Sequence, residues 1–225
     1  MVQWRERLRE LLSDGELGLQ LFATMLPDLL DCMEQFPLKA ESSSHPLTAY
    51  GAWNPYEHFP GTLEIADNLG IKHPRVYGDG DRGDWVPTTD LLLVQKTDGA
   101  RYQLLAISSK AEAVDNMRPR TRELLCLERE YWRHRHAQWL LITPDEYEKR
   151  VVLTLRRTAP WALDMSVAPN HRALAVETAA AMPNHSLTQI LDCITGVLGD
   201  HLLAQQALWQ AVCKRPTQTV LTLRA

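Results

Sequence analysis

Leu91-Leu92-Leu93-Val94 is an uninterrupted apolar run of four residues with no polar face. A run this short and continuous reads as a central strand covered on both sides, so the chain has to place layers above and below a sheet. Tyr102 to Ser108 is its expected hairpin partner, with a Gly-containing turn at Asp98-Gly99 between them.

Other segments fit around that strand. Residues from about Trp4 to Met25 keep a roughly helical spacing of apolar side chains, interrupted at Ser13-Asp14-Gly15-Glu16. Ser13 with Glu16 three positions on is a capping-box pattern, so a short first helix ending near Leu12 and a second starting at Asp14 are expected. Leu29 to Leu38 reads as a strand with Pro37 near its end, and Lys39 to Pro60 as a long loop. Thr62 to Leu69 is expected as a helix closed by Gly70, and Gly78 to Asp84 as a turn. Thr121 to Arg133 reads as a helix with Leu124, Leu127 and Tyr131 on one face, followed by a buried strand at Trp139 to Ile142. Thr143-Pro144-Asp145-Glu146 carries the marks of a helix start and a domain boundary.

Beyond that point the pattern is helical. Ser186 and Gln189 form a second capping box on a helix running to about Thr195, Gly196 and Gly199 bracket a turn, and Asp200 to Cys213 is a further helix. Thr219 to Leu223 alternates like a strand. This order reads equally as a small helix-turn-helix or winged-helix unit and as a plain helical docking domain. The expected division is residues 1–143 and residues 144–225.

Composition narrows the function classes. The 225 residues are long enough to bury a sizeable core, and their hydrophobic content of 45% is that of a globular protein. No apolar run approaches the roughly 18 residues that span a bilayer, and the N-terminal segment lacks an apolar signal core, so a cytoplasmic place is expected, with no membrane partner. Cys32, Cys126, Cys193 and Cys213 fit no zinc or disulfide spacing and read as buried free thiols. A formal net charge of −4 argues against gripping DNA over the whole surface, so affinity for DNA would come partly from partner proteins.

Pro87-Thr88-Thr89-Asp90 leads into the central run, and Ala106-Ile107-Ser108-Ser109-Lys110 ends its partner. A hairpin brings such an acid and lysine to one sheet edge. The layout resembles metal-dependent phosphodiesterases of the restriction-endonuclease type, with the pattern (P)D…(D/E/Q)-x-K. Phosphodiester hydrolysis needs an activated water, an offset for the pentacoordinate charge and a stabilised leaving oxygen, and divalent metals held by carboxylates supply all three. Asp90 would be a rigid ligand, Lys110 would orient water or offset phosphate charge, and Glu16 on the second helix is a candidate further carboxylate. The plainer readings are a strand cap, a solvated edge lysine and a capping-box acid. Ser108 stands where the pattern has an acid or amide. Arg118, Arg120 and Arg122 read as phosphate contacts or as a solvated helix face.

Several strings carry a more specific likeness. Leu12 to Leu17, Asp31-Cys32-Met33-Glu34-Gln35-Phe36-Pro37-Leu38, Ile65 to Pro74, Thr88 to Val94, Ala106 to Lys110 and Leu127-Glu128-Arg129-Glu130-Tyr131-Trp132 resemble, in order, the TnsA family, over roughly residues 9 to 143. TnsA is the endonuclease subunit of the heteromeric Tns transposase. The resemblance implies an α/β restriction-endonuclease-like catalytic domain, a mixed sheet flanked by helices, and a small mainly α, winged-helix-like C-terminal domain. It implies cleavage of transposon 5′ ends, with the TnsB transposase acting on the 3′ ends and the TnsC ATPase regulator contacting the complex. Transposon-end DNA is the implied substrate, and Mg2+ the implied cofactor, with Mn2+ as substitute. By motif the family's acids fall on Glu16 and Asp90 and its lysine on Lys110, while Ser108 departs from the family's usual glutamine. The metal set so implied is Glu16, Asp90, Ser108 and the Ser109 carbonyl. A stand-alone nuclease of the same fold and a non-catalytic scaffold between transposase and ATPase remain alternatives.

Overall fold

The computed structural model describes residues 2–4, 7–9, 13–26, 28–78, 80–97 and 101–214, which cluster into two compact units. One comprises residues 12–23 and 28–148, and the other residues 1–11, 24–27 and 149–225.

The chain opens with a hairpin of β1 (Val2–Trp4) and β2 (Arg7–Arg9), antiparallel with Val2 opposite Arg9. The helix expected up to Leu12 is therefore absent where the backbone is described. Helical spacing of apolar residues over so few positions does not outweigh strand pairing. α1 (Asp14–Ala23) starts where the capping box puts it, with the Glu16 N–H donating to Ser13 Oγ.

The larger unit is built on a four-stranded mixed sheet. Its strands are β3 (Leu29–Pro37), β8 (Thr88–Lys96), β9 (Tyr102–Ser109) and β10 (Gln138–Ile142), in spatial order β10-β9-β8-β3. Between β3 and β8 come the short pair β4 (Ser43–Ser44) and β5 (His58–Phe59), helix α2 (Thr62–Asn68), and the hairpin β6 (Arg75–Gly78) and β7 (Asp81–Asp84). The Gly/Asp-rich turn is thus mostly strand, reversing at Gly80 with a φ of +87° that suits glycine. β3–β8 and β8–β9 are antiparallel. α3 (Pro119–His134) then crosses over so that β10 lies parallel to β9.

Burial of the central strand explains its composition. Leu91, Leu92, Leu93 and Val94 are all fully buried. Leu92 and Val94 join Leu104 and Ala106 against Ile65 and Ala66 of α2 and Leu127, Tyr131 and Trp132 of α3. Leu91 and Leu93 point to the other face, where α1 packs on β3, β8 and β9. The result is a mixed sheet with flanking helices, compatible with a nuclease-like α/β fold. The long loop carries a 3₁₀ turn (Pro46–Tyr50) and is pinned from α3. Arg135 is fully buried, stacks 3.6 Å over the Tyr131 ring, and donates to Pro60 O and Ser43 Oγ.

The second unit is helical in its C-terminal part. It contains α4 (Lys149–Ala162), α5 (Pro169–Ala181), α6 (Leu187–Leu198) and α7 (His201–Lys214). Val167, Ala175, Leu191, Ile194, Ala204, Ala207 and Leu208 form its core. Fully buried Gln210 clasps the α4–α5 connection, accepting from Val167 N and donating to Met165 O. The capping box at Ser186 and Gln189 forms as expected. Gly196 lies inside α6, and only Gly199, with φ +75°, turns the chain. Thr143 to Glu146 makes one turn, with Glu146 folded back onto Thr143 N and Oγ1, and the helix starts only at Lys149. The strand expected at Thr219 to Leu223 lies outside the described residues, as does the Asp98-Gly99 turn.

Candidate active site

The site is created by a shift in strand alternation. Met33 and Phe36 both pack on the α3-side core although three positions apart, and Gln35 between them has φ +48°. Opposite, Leu92 lies in the same core while the Thr89 hydroxyl is bonded by Trp132 Nε1 at 2.7 Å. A flip of one residue in each strand therefore falls at Gln35 and Asp90. Gln35 Nε2 donates to Asp90 Oδ1 at 3.4 Å, and Gln35 Oε1 accepts from Thr88 Oγ1 at 2.8 Å.

Asp90 and Lys110 come together at this edge. The registered β8–β9 pairs end at Leu91 opposite Ile107. Beyond them, Asp90 Oδ2 accepts the Ser109 N–H at 2.6 Å. Lys110 Nζ donates to Ser109 O at 2.9 Å and lies 3.5 Å from Asp90 Oδ2. The ammonium is thus held between a carboxylate oxygen and a backbone carbonyl, both hard oxygen donors. The Lys110 side chain is 32% exposed and that of Asp90 14%, so the pair opens to solvent on one side.

α1 brings its first turn to the same place. A Cβ added to Gly15 would stand 3.0 Å from Ser109 Oγ. Glu16, the next residue, is buried, with Ser13 Oγ 3.2 Å from its Oε1. Gln20, one turn on, is fully buried, and neither amide atom has a hydrogen-bond partner among the described residues.

Ser108 is committed elsewhere. It is 1% exposed and donates to Glu128 Oε1 of α3 at 2.5 Å. Thr89 donates to the same oxygen at 2.6 Å. Burial pushes the Glu128 carboxyl above its usual range, the Ser108 and Thr89 hydroxyls oppose that, and the Asp90 charge adds to it. The sequence places Glu128 in a string that resembles the family but assigns it no role in the site. The signal was its spacing: it sits three residues after Leu125 and four before Trp132, on the apolar stripe of α3.

A magnesium ion prefers oxygen donors and is commonly held by one or two carboxylates plus water. Asp90 and the Ser109 carbonyl, already converging on one cation, fit that preference. Among the described residues no three His, Cys, Asp or Glu side chains gather as a metal-holding set. Arg120 is engaged by Glu123 and by the Lys72 carbonyl, while Arg118 and Arg122 are exposed. Among the described residues no helix is long and apolar enough to cross a membrane.

No family model matches the chain. It is 34% identical over 140 residues to the transposon Tn7 transposition protein TnsA of Escherichia coli. The match takes in 62% of this chain and 42% of that protein, so the chain spans well under two thirds of the relative's length. Over those 140 residues the chain is similar to TnsA.

Proposed function

We propose that the chain is the endonuclease subunit of a TnsABC-type transposase, a restriction-endonuclease-like enzyme that cuts the 5′ ends of transposon DNA with magnesium. The observation that carries this reading is the Lys110 ammonium held between Asp90 Oδ2 and Ser109 O. A divalent ion bound to those oxygens would polarise the phosphate and lower the pKa of its water. Asp90, fixed by Gln35 and Ser109 N, would hold its carboxylate rigid toward that ion. Glu16, carried beside Ser109 on the first turn of α1, would add a second carboxylate. Lys110, displaced from Asp90, would be free to donate to the phosphate or orient the attacking water. Similarity to TnsA supports transposon-end DNA as substrate and the TnsB transposase and TnsC ATPase as partners. The helical unit would serve those contacts, with a winged-helix form if a strand follows α7.

The test is cleavage of labelled transposon-end DNA by the chain with its cognate transposase and ATPase, with and without Mg2+. Nicking at the 5′ ends that requires Mg2+ and is lost in Asp90→Ala supports the reading, and full 5′ cutting by Asp90→Ala overturns it. A second reading, the non-catalytic scaffold, draws on the lack of a three-acid set among the described residues. Complex assembly with neither metal binding nor cleavage would favour it.

A further inference from the structure

We propose that the β6–β7 ribbon is a DNA-contacting arm, laying Arg75, Tyr77 and Arg82 against the backbone of the duplex beside the scissile phosphate. The inference rests on the nuclease reading for its substrate and concerns a surface outside the Asp90–Lys110 edge.

Exposure is the first ground. Every residue of both strands is exposed, Tyr77 at 66%. A two-stranded ribbon with both faces in water adds nothing to the core and is marginal by itself. Its base is nevertheless held. Trp85 N donates to the carbonyl of buried Pro74 at 3.0 Å, and His73 Nε2 lies 2.9 Å from Oγ1 of fully buried Thr62 on α2. The second ground is the chemistry of one face. Cross-strand partners share a face, and Arg75 lies opposite Asp84 as Tyr77 lies opposite Arg82. Arg82 Cζ stands 5.4 Å over the Tyr77 ring, which orients the guanidinium before DNA arrives. Arg75 Nε is 3.5 Å from Asp84 Oδ1, an exposed ion pair that holds the arginine only weakly against a phosphate. Arginine and tyrosine both donate to phosphate oxygens. The opposite face, with Val76, Gly78, Asp81 and Gly83, offers an anion no side-chain donor. The third ground is position. Arg120 Nη2 donates to Lys72 O at 2.6 Å, so the first turn of α3, with exposed Arg118 and Arg122, adjoins the base of the ribbon. These cations form a local basic surface in a chain of net charge −4. Asp84 precedes Asp90 by six residues. That length of chain spans at most about 20 Å, less than one turn of B-DNA at about 34 Å. A duplex held at Asp90 is therefore within reach of the ribbon.

The test is photocrosslinking in the complete reaction. The full chain carrying Tyr77→p-benzoylphenylalanine is irradiated with its cognate transposase and ATPase and labelled transposon-end DNA, with Ca2+ in place of Mg2+. The expected result is an adduct on DNA that Arg75→Ala with Arg82→Ala reduces by about ten-fold, as two lost phosphate contacts would. Each protein is checked by circular dichroism, and Mn2+ binding should stay within about two-fold of wild type because neither arginine stands at the proposed ion. An adduct on the transposase or the ATPase instead of DNA overturns the inference and makes the ribbon a protein-docking element. Absence of any adduct overturns it too, as does a DNA adduct that the double arginine variant leaves unchanged. The nuclease reading fails separately: a wild-type chain that crosslinks to DNA from the ribbon yet never nicks it in Mg2+ keeps the arm and loses the enzyme. Nicking in Mg2+ without a ribbon adduct does the reverse.

Discussion

Asp90 Oδ2 accepts the Ser109 N–H at 2.6 Å just past the last registered pair of strands β8 and β9, so a side chain continues the ladder where the backbones separate. The carboxylate is therefore both a structural acceptor and the proposed ligand. Asp90→Asn keeps an acceptor and loses the charge, whereas Asp90→Ala leaves the N–H without its partner. Both variants are expected to lose at least about a thousand-fold in DNA cleavage. Only Asp90→Ala should lose stability, by about 1–2 kcal/mol. Parallel cleavage assays and denaturant titrations separate the two roles; equal destabilisation by both substitutions would contradict them.

Lys110 competes for the oxygens that the cation would use. Lys110→Met keeps the stem and removes the ammonium. Cleavage should fall by about 10²–10⁴-fold, the usual worth of a group acting on protons or developing charge. Mn2+ affinity should hold or rise, because Asp90 Oδ2 and Ser109 O are released. A parallel fall in metal affinity would mean that the lysine organises the site instead.

Much of this geometry was legible in the sequence because single residues encode it. Leu91 to Val94 has no polar face, so burial on both sides follows. The Ser13 and Ser186 boxes locate the starts of α1 and α6 because a side chain can satisfy only the N–H groups within its reach. What escaped depends on pairing between distant residues. Val2–Trp4 becomes strand only by meeting Arg7–Arg9, and Thr143 turns once because Glu146 bonds back to it. Glu128 reaches Ser108 across 20 positions, and nothing local in either segment announces the other.

Gly15 links α1 to the site. Alanine there gains helix propensity of about 1 kcal/mol. Its Cβ would also meet Ser109 Oγ at 3.0 Å, a contact relieved only if the turn or the strand gives by a few tenths of an ångström. Gly15→Ala should therefore melt within a few degrees of wild type, yet cleave more slowly, because the turn carrying Glu16 is pushed from β9. Gly15→Val should be slower still. Wild-type cleavage rates in Gly15→Val would show that this approach does not matter to the reaction.

His45 ties the long loop to the end of α3. Its Nδ1 accepts from Leu47 N at 3.1 Å and its Nε2 lies 2.7 Å from Arg135 O, so the ring is neutral with the proton on Nε2. Burial holds its pKa below the ordinary value of 6.5, only partly opposed by the Arg135 carbonyl. As pH falls through about 6.5 the unfolded chain takes up the proton first, so the folded state loses stability until the lower folded pKa is passed. The loss is at most about 1.4 kcal/mol per pH unit. His45→Asn keeps an acceptor for Leu47 N and removes the titrating ring. It should be less stable than wild type at pH 8 and show a shallower decline between about pH 7 and pH 5. Denaturant midpoints of both proteins across that range measure the difference, and identical slopes would remove His45 as the source.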